Sequence, residues 1–155
     1  ISIGSLYQYF DNKEDLYEAV LERIVEKLIA LVEKQSLTKE PFTLSVWVTT
    51  LLNDVWDFLE ADNGLYLQVV RNWSQLDFVS GMDVLEQKML SVLSVYLLQQ
   101  PTRISPNTGD LPARLYILTN SILFTLLRYI SKPSPLVSRQ ALIAEFANMV
   151  ERSLL

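Results

Sequence analysis

The sequence predicts an all-α protein, a bundle of helices, from three observations. Every long segment repeats its apolar residues with the 3.6-residue period of a helix, and none alternates as a strand would. Half of the 155 residues are apolar and 20% are charged, which allows a sizeable core and does not resemble a disordered chain. Strong stop signals such as Asp62-Asn63-Gly64 divide the periodic segments.

Two helices are predicted near the start of the chain. The first runs from about Ile3 to Tyr9, with Ser2 as its N-cap. The second starts after Asn12, a residue type that also caps helices, and continues to about Gln35. Its inward face is an apolar stripe made of Leu16, Val20, Ile24, Leu28, Leu31 and Val32.

Three helices are predicted in the middle of the chain. Pro41 suits the first turn of a helix that ends near Ala61. A shorter helix follows from about Leu65 to Trp73. After a connection that contains Gly81, another helix runs from about Met82 to Leu98.

Two more helices follow a loop. The stretch Pro101–Pro112 holds three prolines and a glycine, which predicts a mobile loop. The segment Pro112–Ser131 carries only two charges and is apolar nearly all round, so it needs cover on both sides. The last helix starts between Ser134 and Ser138 and runs to the end.

The all-round apolar helix has two explanations in so small a chain. It is either the central core helix of a monomer, or it faces its own core on one side and a partner chain on the other. In the second case, two helices from each of two chains close a four-helix bundle across a two-fold axis. The residues predicted at this homodimer interface are Tyr116, Leu123, Leu127, Ile143, Phe146 and Val150.

Composition excludes several kinds of chemistry. Without histidine there is no Ser-His-Asp triad, histidine metal site or histidine general base, and without cysteine there is no disulfide or thiolate chemistry. We therefore expect no enzyme, no metal and no cofactor. A net charge of −5 and a pI of about 4.7 argue against a generally basic nucleic-acid-coating protein. No signal peptide or membrane-spanning segment is visible, and the missing cysteines fit a cytoplasmic protein.

The stretch ISIGSLYQYFDNKEDLYEAV crowds three rings, Tyr7, Tyr9 and Phe10, into four positions. Tyr7 and Tyr9 point to different sides of a helix, so at least one hydroxyl is exposed and available to a phosphate oxygen. Lys13 lies in the first turn of the next helix, where the helix dipole disfavours a cation unless an anion binds there. The stretch predicts a phosphate-contacting surface; the alternative is core packing for the rings and a solvated lysine.

This stretch resembles the signature of the TetR family of bacterial transcriptional regulators. In that family a glycine-[Ser/Thr]-Leu-Tyr-x-[Tyr/His]-Phe run precedes a Lys-Glu-x-Leu run, across the recognition helix and the start of the next helix. The matching residues here are Gly4, Ser5, Leu6, Tyr7, Tyr9, Phe10, Lys13, Glu14 and Leu16. The motif covers about the first 20 residues, and the remainder resembles the family in its helical architecture only.

The resemblance implies a DNA-binding role for the start of the chain. It places four residues on the groove-facing part of the recognition helix, namely Ile3, Gly4, Ser5 and Gln8. Gln8 has the donor and acceptor needed to pair with the edge of adenine. Tyr7 and Lys13 would contact backbone phosphates. The family binds operator DNA as dimers, and its last two helices usually form the dimer bundle.

The resemblance also implies a domain organisation. A helix-turn-helix needs a helix before the recognition helix, and the family has one more before that, so we expect this chain to be an N-terminally incomplete regulator. Residues 1–12 would be the remnant of the DNA-binding domain, with the recognition helix only. Residues 13–35 would be a connecting helix shared with that domain, and residues 36–155 a ligand-binding and dimerisation domain.

The middle helices of the family enclose a pocket for a small inducer. In this chain the residues predicted to line it are Trp47, Trp56, Tyr66, Arg71, Trp73 and Tyr96. Such rings suit an apolar or aromatic effector, and their alternative role is ordinary core packing. Arg71 would meet an anionic ligand, pair with a carboxylate such as Asp57, or reach solvent. The acidic residues Asp54, Asp57 and Glu60 are expected on a solvated face rather than at a metal.

The leading hypothesis is thus a ligand-responsive DNA-binding repressor that an inducer releases from its operator. The alternative is a helical protein-interaction or adaptor domain without DNA binding. A third hypothesis, a helical enzyme that uses tyrosine or glutamate, requires turnover by this chain alone. Two basic helical segments upstream of Ile1 would favour the regulator over the adaptor.

Overall fold

The computed structural model describes residues 13–36, 43–72, 78–99 and 109–155, and within these ranges every regular element is helical. A 3₁₀ turn, Asp62–Gly64, joins the second and third helices. The helices are α1 (Lys13–Ser36), α2 (Leu44–Glu60), α3 (Leu65–Arg71), α4 (Phe78–Gln99), α5 (Leu111–Ser131) and α6 (Arg139–Leu154). The predicted all-α class is confirmed. The predicted first helix, Ile3–Tyr9, and most of the loop Pro101–Pro112 lie outside the described residues.

Side-chain caps fix the start of α2. The Thr43 hydroxyl oxygen accepts a hydrogen bond from the Val46 amide at 3.3 Å, which satisfies one of the donors left free at a helix start. The helix therefore begins at Leu44, three residues after the predicted Pro41, which lies outside the described residues.

Similar caps begin α5 and α6. The Asp110 carboxylate accepts from the Ala113 amide at 3.0 Å, so α5 begins at Leu111 and Pro112 falls in its first turn. The Ser138 hydroxyl accepts from the Ala141 amide at 3.1 Å, which places the start of α6 at the end of the predicted window.

The predicted stop at Asp62-Asn63-Gly64 is confirmed. These three residues have φ of +52°, +58° and +78°, a left-handed conformation that glycine tolerates best and that asparagine and aspartate adopt more readily than other residues. They separate α2 from α3. Helix α3 ends at Arg71, two residues before the predicted Trp73. The backbone N–H of Asn72 closes the helix by donating to the carbonyl oxygens of Val69 and Val70.

Gly81 is part of α4 and not of a connection, so that prediction was wrong. The helix begins at Phe78, four residues earlier than Met82. A Cβ built on Gly81 would lie 3.1 Å from Cγ2 of Val25 on α1. Glycine at this position permits a close approach of two helices, and an isolated glycine in a helical pattern often has such a packing reason.

The packing of the helices brings side chains of α2, α4, α5 and α6 together. Helix α2 packs along α6, and α1 packs along α4 with further contacts to α2 and α3. Helix α5 packs on α4 and α3. Side chains from α2, α4, α5 and α6 therefore meet in the space between these helices. Within the described residues, no helix is long and apolar enough to cross a membrane.

Candidate functional site

A small cavity lies where α2, α4, α5 and α6 meet, and we call it the central cavity. Its free volume is about 10 Å³, close to the lower limit for one buried water molecule. Its lining is apolar except for two residues, and no ionisable side chain contributes to it. The lining residues are Trp47, Val48, Leu51, Leu52, Met89, Leu93, Leu118, Thr119, Ile122 and Val150.

The two polar residues of the central cavity each bury a polar side-chain atom. The indole nitrogen Nε1 of Trp47 and the hydroxyl oxygen Oγ1 of Thr119 are buried and bond to nothing among the described residues. Trp47 is 4% exposed and Thr119 is 0% exposed. A buried polar group without a partner costs about 1–3 kcal/mol, so two of them beside one cavity call for a physical explanation.

The unpaired hydroxyl of Thr119 differs from comparable hydroxyls in the same fold. A hydroxyl inside a helix commonly donates to the carbonyl four residues earlier. Thr49 does so to Ser45 at 2.8 Å, and Ser131 does so to Leu127 at 2.7 Å. Thr119 makes no such bond within the described part of the chain.

A second depression, the open cleft, lies between α1 and the turn that joins α2 to α3. It encloses about 450 Å³ and is open to solvent. The rings of Phe58 and Tyr66 form its apolar part, with centroids 4.6 Å apart. Charges of both signs surround the rings. The lining residues are Arg23, Glu26, Lys27, Ala30, Phe58, Ala61, Asp62 and Tyr66.

The residues predicted for one ligand pocket are distributed over several places. Trp47 lines the central cavity and Tyr66 lines the open cleft. Trp56 lines neither of these two and is buried against Tyr129, with ring centroids 5.4 Å apart. Trp73 lies outside the described residues, and Tyr96 lies on α4 with its side chain outside them.

Arg71, also predicted for the pocket, is exposed at the end of α3. Its Nε donates to the carbonyl oxygen of Ile130 at 3.3 Å, which joins α3 to the end of α5. Arg71 lines neither the central cavity nor the open cleft. Of the alternatives considered for it, the solvent-exposed position agrees best with this placement.

Arg139, which the sequence did not single out, binds the acidic face of α2. Its guanidinium lies 2.9 Å from the Asp57 carboxylate and 3.4 Å from that of Glu60. The same group lies over the Trp56 ring, 5.1 Å from the centroid, in cation–π geometry. Arg139 is the first residue of α6, where a cation is unfavourable, and the two carboxylates offset that cost. The acidic face thus has a structural partner.

Thr119 is the functional candidate that sequence reasoning missed. In the sequence it is visible only as a polar interruption of the apolar stretch Leu115–Leu127. Helical periodicity places it on the same side as Leu115 and Ile122, which are buried. Thr119 could therefore have been singled out from the sequence, because a hydroxyl on a core-facing side of a helix needs a hydrogen-bond partner.

The residues predicted at a dimer interface fall into two groups. Four of them are buried by this chain itself, namely Leu127, Ile143, Phe146 and Val150. Leu123 is half-buried and Tyr116 is 56% exposed. The exposed large apolar residues of α5 are Tyr116, Ile117 and Phe124, which share one side of the helix, and we call them the α5 stripe.

The predicted DNA-binding residues lie at the edge of the described chain. Ile3, Gly4, Ser5, Tyr7 and Gln8 are outside it, and Lys13 is the first residue of α1, with its side chain outside the described set. No protein-family model, no curated protein and no solved structure matches this chain. The DNA-binding assignment therefore stays a prediction from the motif.

Proposed function

We propose that this protein is a ligand-responsive DNA-binding transcriptional regulator, a repressor that a small-molecule inducer releases from its operator. The observation that carries the proposal is the ordered set of residues from Gly4 to Leu16, which resembles the TetR signature and leads directly into α1. The helical class and the central cavity are compatible with it. The protein would act as a homodimer on a pseudo-palindromic operator.

Helix α1 offers a route from the central cavity to the motif. It begins at Lys13 within the motif and continues for 24 residues to Ser36. Its buried side packs along α4, and Lys88 of α4 forms an ion pair with Glu33 of α1 at 2.9 Å. Helix α4 also lines the central cavity through two side chains. A molecule that displaces α4 would therefore displace α1, which begins within the motif.

Release from DNA requires that the inducer bind two arrangements of the helices with different affinities. In the proposed mechanism the inducer favours an arrangement in which the two recognition helices of the dimer no longer match the half-site spacing. The side chains that an inducer would displace are those of α2, α4, α5 and α6 around the central cavity.

The proposal is tested with the protein encoded by the whole gene. DNA sequences that bind this protein are selected from a random library. The affinity for the tightest-binding sequences is then measured at several salt concentrations. We expect affinity to fall as salt rises, because phosphate contacts release counterions. Tyr7→Ala and Lys13→Ala should weaken binding to every sequence, whereas Gln8→Ala should change the preferred sequence.

Lys34→Ala provides the matched control, because Lys34 is an exposed lysine of the same helix α1, in its last turn, far from the motif. It should bind DNA as the parent does. If Tyr7→Ala and Lys13→Ala also bind like the parent, their assignment as phosphate contacts is wrong. If the selection enriches no sequence at all, the regulator hypothesis fails.

The α5 stripe also suits a second candidate, a helical protein-interaction domain without DNA binding. Three large apolar side chains on one exposed helix side suit a protein partner. This alternative predicts that changes in the α5 stripe abolish an interaction while changes at Tyr7, Gln8 and Lys13 have no effect on function.

A further inference from the structure

We propose that the central cavity admits a compact, uncharged and mainly apolar molecule that carries one acceptor oxygen, such as a ketone, an ester or an alcohol. This molecule would be the inducer of the proposed regulator, and only that role rests on the proposed function.

The absence of charge follows from the lining. None of the ten residues around the central cavity is ionisable, and the cavity is enclosed by four helices. An ion buried there would lose its hydration without gaining a counter-charge, which costs several kcal/mol. The described arginines nearest in sequence to the lining, Arg114 and Arg152, are not among the lining residues.

The requirement for an acceptor follows from Trp47. An indole N–H donates a hydrogen bond and cannot accept one, so its partner must be an acceptor. The Thr119 hydroxyl donates or accepts as its rotor allows. A single carbonyl oxygen has two lone pairs and could accept from both groups. An alcohol oxygen could accept from Trp47 and exchange a hydrogen bond with Thr119.

The size of the cavity implies that binding moves the surrounding side chains. A free volume of about 10 Å³ holds about one water molecule, whereas an enclosed apolar cavity of about 150 Å³ is needed for benzene. Met89 is unbranched and changes rotamer easily, so the lining can rearrange around a molecule larger than water. Entry of a one-ring molecule would move side chains of the four helices that line the cavity, and the proposed function needs a movement of this kind.

The experiment compares three probes of similar shape on the 155-residue chain. Acetophenone carries an acceptor oxygen, ethylbenzene lacks it, and benzoate carries a charge. Binding is measured by calorimetry and by the shift of the thermal unfolding midpoint. We expect acetophenone to bind at least about tenfold more tightly than ethylbenzene, as one buried hydrogen bond implies, and benzoate to give no shift.

Two substitutions assign the difference to the named atoms. Thr119→Val keeps the side-chain shape and removes the hydroxyl, and Trp47→Phe removes the N–H. Thr119→Val should weaken acetophenone binding about tenfold and leave ethylbenzene binding unchanged. Trp47→Phe also enlarges the cavity, so its expected result is an about tenfold fall in the ratio of acetophenone affinity to ethylbenzene affinity. Thr125→Val is the matched control, since Thr125 is exposed on the same helix and should change neither.

Three results would overturn the inference. They are equal binding of acetophenone and ethylbenzene, equal loss of both in the two cavity variants, and a crystal structure in which one water molecule bridges Trp47 and Thr119 and no probe replaces it. The assay contains no DNA, so its failure leaves the regulator hypothesis to the operator experiment. Selective acetophenone binding by a protein that selects no DNA would support the cavity chemistry and refute the proposed function.

Discussion

Thr119 and Trp47 each bury a polar atom that finds no partner within the described residues. The free chain bears this cost in its most buried region, beside Val150 and Ile122. Polar groups left unsatisfied in a core are rare in folded proteins, and a bound molecule such as a trapped water is one explanation for them. At the residue scale, these two atoms distinguish the central cavity from ordinary packing.

Removal of the Thr119 hydroxyl should stabilise the chain when no ligand is present. We expect Thr119→Val to raise the free energy of unfolding by about 1 kcal/mol, because valine has the same shape and no unpaired hydroxyl. Urea unfolding measures the change, with Thr125→Val as the exposed control. A loss of stability instead would mean that the hydroxyl is hydrogen-bonded in solution, for example to a trapped water molecule.

The separation of Trp47 from Trp56 was open to prediction, although both were assigned to one pocket. Nine residues of helix amount to two and a half turns, so the two rings leave α2 on opposite sides. The choice of which ring faces a cavity was not open to prediction in the same way. Periodicity predicts which face of a helix a residue lies on. The residues that line the central cavity with Trp47 include Thr119 and Val150, which lie about 70 and 100 residues further along the chain.

Arg139 is the main polar connection between α2 and α6 among the described residues. It contacts Asp57, Glu60 and the ring of Trp56, and its Nη2 lies 3.4 Å from the carbonyl oxygen of Asn53. Several weak contacts on one planar guanidinium hold the start of α6 in register with α2. At the element scale, α2 and α6 are therefore expected to move together.

Helices α1 and α4 are matched by shape at Gly81. Alanine there would gain about 1 kcal/mol of helix propensity but would place its Cβ 3.1 Å from Val25. Because valine is stiff within a helix, we expect crowding to cancel most of the gain. In a Val25→Ala background the full gain should appear, so the coupling energy in a double-mutant cycle should be about 1 kcal/mol. Urea unfolding of the four proteins measures it, and additive effects would show that the helices separate freely.

The elements themselves were largely predictable, because their apolar period is strong. The stop at Asp62-Asn63-Gly64 and the window for α6 were correct. The start of α4 was wrong because Gly81 carries a break signal in sequence and a packing role in space. A glycine's neighbour across a helix interface cannot be inferred from the residues on either side of it.

At the scale of the whole molecule, the described chain buries most of its predicted interface residues and leaves the α5 stripe exposed. The last two helices therefore bury most of these apolar side chains within the chain itself. The stripe offers Tyr116, Ile117 and Phe124 to a partner. In the proposed homodimer two stripes would face one another across a two-fold axis, where each covers the other.

Phe124→Asp should yield monomers if the α5 stripe forms the dimer interface. The substitution places a charge in the apolar contact without entering the core, since Phe124 is 49% exposed. Val84→Asp on α4 is the matched control and should keep the parent's oligomeric state, because Val84 is exposed outside the stripe. Sedimentation equilibrium at micromolar concentration distinguishes the outcomes, and a folded Phe124→Asp dimer would exclude the stripe as the interface.

The length of α1 has a mechanical consequence. Its 24 residues span about 36 Å, so each degree of tilt about the Ser36 end carries the Lys13 end by about 0.6 Å. A tilt of about five degrees moves that end by roughly 3 Å, close to the rise of one base pair along DNA. In the proposed regulator, a repacking of a few side chains that tilts α1 by this amount would therefore shift its Lys13 end by about one base-pair step along the DNA.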